Sequence, residues 1–249
     1  MPAALLAGCV VRGGLNAGPG GDAALTARPR TGQVEGLPAA GKQPLGLEAR
    51  RDPLLYVPHG LRRRQAAPLV VTLHGAGGAA VAGLSLLRPF ADEHGLVLLA
   101  PASRGSTWDG IRGGYGADVD AIDRALRRVF RTVPVDPERI AVAGFSDGAS
   151  YALGLGLANG DLFQRVIAFS PGFVPAGRRV GKPRIFVSHG DEDQILPVGS
   201  TSRRLVPALR RDGYDVTYRE FDGRHGAPPT VTQMALDWLD WGGAGRRSS

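Results

Sequence analysis

The sequence predicts an α/β protein with a mostly parallel central sheet covered by helices on both faces. Three observations carry this. Short apolar, β-branched runs alternate along the chain with segments of helical period, the signature of strands that pair in parallel through helical crossovers. The run Arg139-Ile140-Ala141-Val142-Ala143 passes through a glycine-flanked turn directly into the small-residue helix Ala149–Leu155. Length and composition fit one large core: 249 residues, 43% hydrophobic and 21% charged is ordinary for a globular domain.

In chain order, Leu54-Leu55-Tyr56-Val57 opens the sheet as an antiparallel edge, joined through Arg62-Arg63-Arg64 to the buried-type strand Pro68–Leu73. Leu96–Ala100 is the next strand. The stretch after Asp118 places Val119, Ile122, Leu126 and Val129 at helical spacing, with its acidic residues on the wet face. Arg165–Phe169, Arg184–His189 and Asp215–Phe221 complete the strands. The domain is read as residues 46–242, between Gly/Ala/Pro-rich flexible tails at 1–45 and 243–249.

The turn after Ala143 is Gly144-Phe145-Ser146-Asp147-Gly148. Strand, Gly-x-Ser-x-Gly, helix is the geometry that lifts a serine hydroxyl clear of the backbone for attack on a carbonyl. The pattern by itself is weak: with 37 glycines and 11 serines, about one chain in four of this make-up carries it by chance. Context decides. Strand Arg184–His189 stops at Gly190-Asp191-Glu192-Asp193, placing three carboxylates past the carboxyl end of a parallel strand, where ligand crevices form. The bland reading of Asp191 and Glu192 is a solvated turn or helix cap. Strand Asp215–Phe221 ends in Asp222-Gly223-Arg224-His225-Gly226, which brings His225 to the same edge as Ser146. His59, His94 and His189 read instead as turn, helix-end and strand-end residues. Strand Pro68–Leu73 opens into His74-Gly75-Ala76-Gly77-Gly78, whose backbone N–H groups can face a reacting carbonyl oxygen. The amides of Ala76 and Asp147 are the candidate oxyanion donors, with Gly77 in reserve; such a donor is worth about 3 kcal/mol of barrier. A phosphate loop is disfavoured, since neither the Lys-Ser/Thr of a Walker A motif nor full Gly-x-Gly-x-x-Gly spacing is present.

The order Ser, Asp, His is that of α/β-hydrolases. On the four blocks Leu73–Gly78, Gly144–Gly148, His189–Asp193 and Arg224–Gly226, spread over about Leu54 to Trp241, the chain resembles an α/β-hydrolase of the carboxylesterase/phospholipase type, similar to polyhydroxybutyrate depolymerase-like esterases. Acyl-protein thioesterases share versions of these blocks, so the alternatives are an acyl thioesterase, a dienelactone-type lactonase, or a non-catalytic binding protein on the same frame. The resemblance implies Asp193 as the acid, with Asp191 in reserve, because His-Gly-x-x-Asp followed by Ile195-Leu196-Pro197 is similar to the carboxylesterase acid loop. It implies ester substrates, small or polymeric, and no metal or organic cofactor. Asp147 departs from relatives that carry Gln, Met or Gly there. Only residues 170–183 separate the strand ending at Phe169 from the next, too few for a substantial lid, so an open site is expected. Trp108, on the loop after strand Leu96–Ala100, is a candidate wall of the substrate pocket, against an ordinary packed tryptophan.

The remaining features point away from other functions. A net charge of +7 is compatible with nucleic acid or an anionic surface, but the arginines are scattered among acids and no nucleic-acid motif appears. Arg62–Arg64 and Arg203-Arg204 read as solvated surface. No stretch is long enough to span a bilayer. Leu6-Ala7-Gly8-Cys9 is similar to a lipoprotein lipobox, yet no basic residue and too short an apolar run precede it. As written the chain reads as cytoplasmic, the alternative being a lipoprotein anchored through Cys9 from an upstream start. Nothing in the sequence specifies oligomeric state.

Overall fold

The computed structural model describes residues 22–29 and 34–241. Eight strands form one sheet: β1 (Gly41–Pro44), β2 (Leu54–Val57), β3 (Ala67–Leu73), β4 (Val97–Ala100), β5 (Val135–Phe145), β6 (Arg165–Phe169), β7 (Arg184–Gly190) and β8 (Val216–Phe221). Their spatial order is β1-β2-β4-β3-β5-β6-β7-β8. β1 and β2 run antiparallel to their neighbours, and every pair from β4 through β8 is parallel. Among the described residues five α-helices accompany the sheet: α1 (Ala80–Ser85), α2 (Ala117–Thr132), α3 (Asp147–Ala158), α4 (Ser202–Arg211) and α5 (Pro229–Leu239).

Alternation along the strands sorts the core into two layers. Leu69, Val71 and Leu73 of β3 face the side covered by α2, α3 and α4, while Val70 faces α1 and α5. Covered on both faces, β3 is buried at every position, which is why it reads as a continuous apolar run. α2 buries Val119, Ile122, Leu126 and Val129, the positions its period predicts. α3 is buried from Gly148 to Ala158, so its small residues serve close packing against the sheet.

The structure differs from the sequence reading at three places. Asp118, read with the wet face of α2, is buried and accepts the Arg104 N–H at 2.6 Å and the Asp109 N–H at 2.7 Å. β2 is antiparallel, but it pairs with β4 rather than β3, and β1 lies outside it as the edge. The segment read as a tail also contains packed residues. Ala23, Leu25 and Ala27 are buried in the α2–α3 layer, and the Leu25 N–H donates to Asn159 Oδ1 at 2.7 Å. The N–H groups of Thr26 and Ala27 both donate to Asp123 Oδ1 at 2.7 Å. Burying Leu25 contributes about 2 kcal/mol. Three alternating apolar residues amid Gly and Pro are too short a pattern to announce a strap, and their partners lie roughly a hundred residues away. Cys9 and its lipobox-like surroundings, and residues 243–249, lie outside the described residues. No helix among the described residues is long and apolar enough to cross a membrane.

The parallel registers bring strand ends level. Leu73 lies beside Gly144, Phe145 beside Phe169, and Gly190 beside Phe221. The loops that follow β3, β5, β6, β7 and β8 therefore open on one edge, and residues 170–183 form no helix there.

Candidate active site

Ser146 sits at the junction of β5 and α3 with φ 56° and ψ −121°, a conformation that costs a non-glycine residue on the order of 1–3 kcal/mol. Its flanking glycines make the turn possible. A Cβ at Gly144 would lie 2.1 Å from the Gly148 carbonyl oxygen, and one at Gly148 would lie 2.3 Å from that of Leu73. The Ser146 N–H donates to Phe169 O at 2.9 Å, and its hydroxyl makes no capping bond to α3. The hydroxyl is thus left for other work. Gly148→Ala is expected to destabilise the fold by about 1–3 kcal/mol, since both colliding atoms are backbone, and to lower any Ser146-dependent turnover at least in step. Chemical denaturation beside an activity assay measures both.

His225 Nε2 lies 2.9 Å from Ser146 Oγ, and His225 Nδ1 lies 2.6 Å from Asp193 Oδ2. The Phe145 ring flanks the imidazole with centroids 4.8 Å apart. Asp193 is buried, and its Oδ1 accepts the N–H groups of Ile195 at 2.9 Å and Leu196 at 2.8 Å. Burial pushes its carboxyl up, but the Leu196 N–H, His225 and the Ile195 N–H together hold it below the usual carboxylate value. The carboxylate is therefore ionised and points one oxygen at the imidazole. Asp191, the reserve acid, is exposed and accepts the Gly223 N–H at 3.1 Å, so it shapes the His225 loop instead. Glu192 is exposed as well.

Across the site, the Ala76 and Asp147 N–H groups have no acceptor among the described residues. The reserve donor Gly77 is occupied, its N–H bonded to Ser106 O at 2.6 Å. The Asp147 carboxylate accepts the Thr107 hydroxyl at 2.6 Å in the first turn of α3, where the helix dipole favours negative charge. His74 is held by its own loop: Nδ1–H donates to Gly75 O at 2.7 Å, and Nε2 accepts the Ser103 N–H at 3.0 Å. Burial lowers its pKa and keeps the ring neutral.

Trp108 does not wall a pocket. It is fully buried, tilted against His74 with centroids 4.7 Å apart, stacked on Tyr151 at 5.1 Å, and its Nε1–H donates to His74 O at 2.8 Å. An indole with a buried N–H must find an acceptor, and here that acceptor belongs to the His74–Gly78 loop. The residue braces that loop from beneath. Sequence reasoning could not distinguish the two roles, because either puts a tryptophan on a loop at this edge.

Two further side chains belong to the surroundings and were not singled out for the site. His189, at the end of β7, is buried with Nε2 3.1 Å from Asp193 Oδ2. Ser170, at the end of β6, has φ 52° and donates its hydroxyl to Gly226 O at 3.2 Å, tying the His225 loop to the sheet. His59 and His94 lie apart from Ser146. His59 pairs with Asp92, and His94 lies near Gln233 on α5.

The sheet order, the serine elbow and the histidine–aspartate pair define an α/β-hydrolase. A family model described as Phospholipase/Carboxylesterase matches residues 118–241. The chain is 30% identical over 162 residues to an acetylxylan esterase of Coprinopsis cinerea, covering 60% of this chain and 40% of that protein. A solved thermostable esterase superposes with a TM-score of 0.63 at 26% identity, over 76% of this chain and 58% of that one. Esterase 2 of Thermogutta terrifontis superposes with a TM-score of 0.61 at 18% identity, over 82% and 94%. These matches support an α/β-hydrolase of the carboxylesterase type. It spans 40% to 47% of the length of the curated relatives it matches.

Proposed function

We propose that the protein is a serine hydrolase of carboxylic esters, acting through Ser146, His225 and Asp193. One observation carries the reading: a strained, uncapped Ser146 hydroxyl at 2.9 Å from a histidine that is itself 2.6 Å from a buried carboxylate. Ser146 Oγ attacks the ester carbonyl while His225 Nε2 takes its proton. Asp193 holds Nδ1–H and stabilises the imidazolium that forms. The developing oxyanion lies between the N–H groups of Ala76 and Asp147. His225 returns the proton to the departing alcohol, and water then repeats the sequence on the acyl-enzyme. Every step uses side chains and amides of this chain.

Short to medium acyl chains, or the ends of a polyester, suit the site best. No helix covers the edge in residues 170–183, and Phe173 and Ile195 stand 45% and 70% exposed on loops tied to Ser150 and Asp193. They offer an apolar flank without an enclosed tunnel. The acetyl group named for the Coprinopsis cinerea relative is of the same small size. Hydrolysis of p-nitrophenyl esters from acetate to palmitate tests the proposal, and turnover is expected to fall with chain length. A folded protein inert on every ester would overturn it, and thioester and lactone panels would then identify the reaction.

A further inference from the structure

The Asp193 carboxylate faces two histidines, and the hydrolytic scheme uses one. His189 is fully buried at the end of β7, where a titratable ring needs partners at both nitrogens. Its Nε2 lies 2.7 Å from Leu196 O. A carbonyl oxygen can only accept, so Nε2 carries the hydrogen. Its Nδ1 lies 2.7 Å from Ser202 Oγ, which in the neutral ring receives the Ser202 hydroxyl proton. The tautomer is thereby fixed, with N–H aimed at the acid loop. Burial lowers the His189 pKa more than Leu196 O and Asp193 raise it, so the ring stays neutral.

These bonds close a ring around Asp193. Oδ1 accepts the Leu196 N–H, the Leu196 carbonyl accepts His189 Nε2–H, and the same Nε2 stands 3.1 Å from Oδ2. We propose that His189 is a positioning residue of the triad: its Nε2–H anchors the 193–196 loop to β7 and holds Asp193 Oδ2 toward His225. The proposal rests on the hydrolase reading. With the anchor gone, the loop can turn and the carboxylate loses a facing N–H dipole. Geometry loosens, and the less-solvated oxygen becomes a stronger base toward His225.

The titratable groups around the ring are Asp193 and His225 on the loops and Glu220 on β8, its register partner. Glu220 is itself held by Arg203 of α4 and by Tyr218. Because any replacement removes the titration of His189, two amide variants are compared with each other. Gln places an amide NH₂ where Nε2 was and can reach Leu196 O; Asn stops near the Nδ1 position and reaches only Ser202.

The experiment measures kcat, KM and the pH profile of kcat/KM for the full chain on p-nitrophenyl acetate. His189→Asn is expected to lose about ten- to a hundredfold in kcat, the range typical of residues that orient a catalytic ligand. Its KM should stay within about twofold, and the acid limb of its profile should move to higher pH. His189→Gln is expected to stay within a few-fold of wild type, with its limb unmoved. Equal kcat and profiles for the two variants would overturn the proposal. If the Asn variant does not fold, Ser202→Ala carries the test, because the freed ring can turn away from Leu196. A lower kcat with the same direction of limb shift supports the role, and a wild-type profile overturns it. Wild-type turnover is read in the same series: its absence sinks the hydrolase reading, whereas normal wild-type turnover with indistinguishable variants sinks only the role of His189.

Discussion

Ser146→Ala is expected to abolish ester turnover, lowering kcat by about 10⁵- to 10⁶-fold, while leaving the fold intact. The reasoning separates chemistry from stability. Ser146 caps nothing in α3, and its backbone N–H, which bonds to Phe169 O, survives the change. The lost hydroxyl had one close side-chain partner, His225 Nε2 at 2.9 Å, and that nitrogen lies in a half-open site where water can replace it. Alanine also adopts the strained backbone at no greater steric cost than serine. Thermal melting should therefore agree with wild type to within a degree or two. Covalent labelling by a fluorophosphonate, read by mass spectrometry, should disappear with the hydroxyl. Turnover retained by a folded Ser146→Ala protein would remove the nucleophile from the scheme.

Asp193→Asn has the next largest effect, a fall in kcat of about 10⁴-fold with KM little changed. The amide is the same shape, and its oxygen can still accept the Ile195 and Leu196 N–H groups. Its NH₂ then faces His225 Nδ1, which must become an acceptor. The imidazole hydrogen moves to Nε2, where it confronts Ser146 Oγ and cannot receive a proton. The negative charge that stabilised the imidazolium is also gone.

The same substitution carries a pH signature. Asp193 is pushed up by burial but held below the usual carboxylate value by the Leu196 N–H, His225 and the Ile195 N–H. A depressed carboxyl stabilises the fold fully above the unfolded-state value, and that contribution is lost as pH falls through the folded-state value. Wild type should therefore lose stability on acidification below the ordinary carboxylate range. The Asn variant should show a shallower loss, measured by melting from about pH 6 to about pH 2.

Much of the site was legible in sequence because its signals are local. Gly144 and Gly148 flank Ser146 within one turn, and the backbone overlaps a Cβ would cause are set by that turn and the strand beside it. Ser146 and His225 each follow a strand with clear apolar pattern, so their edge of the sheet could be inferred from strand direction. Asp193 needed more. Three carboxylates share one turn, and the resemblance to esterase acid loops singled it out; the structure then shows Asp193 turned inward to His225 and Asp191 turned outward to Gly223 N–H. Ala76 and Gly77 were distinguished by the Ser106 carbonyl, a partner on a different loop.

The alternation of strands and helices, the serine elbow, and the gathering of Ser146 and His225 at the carboxyl edge could all be read from local pattern. Periodicity and glycine turns act over a few residues, and they write themselves into composition. Contacts between distant segments had to wait for the packed chain: β1 outside β2, the 22–29 strap on α2 and α3, Trp108 beneath the His74–Gly78 loop, and His189 against Asp193. Each is specified by which donor meets which acceptor across segments far apart in sequence. That pairing depends on how whole layers pack, and no local pattern records it.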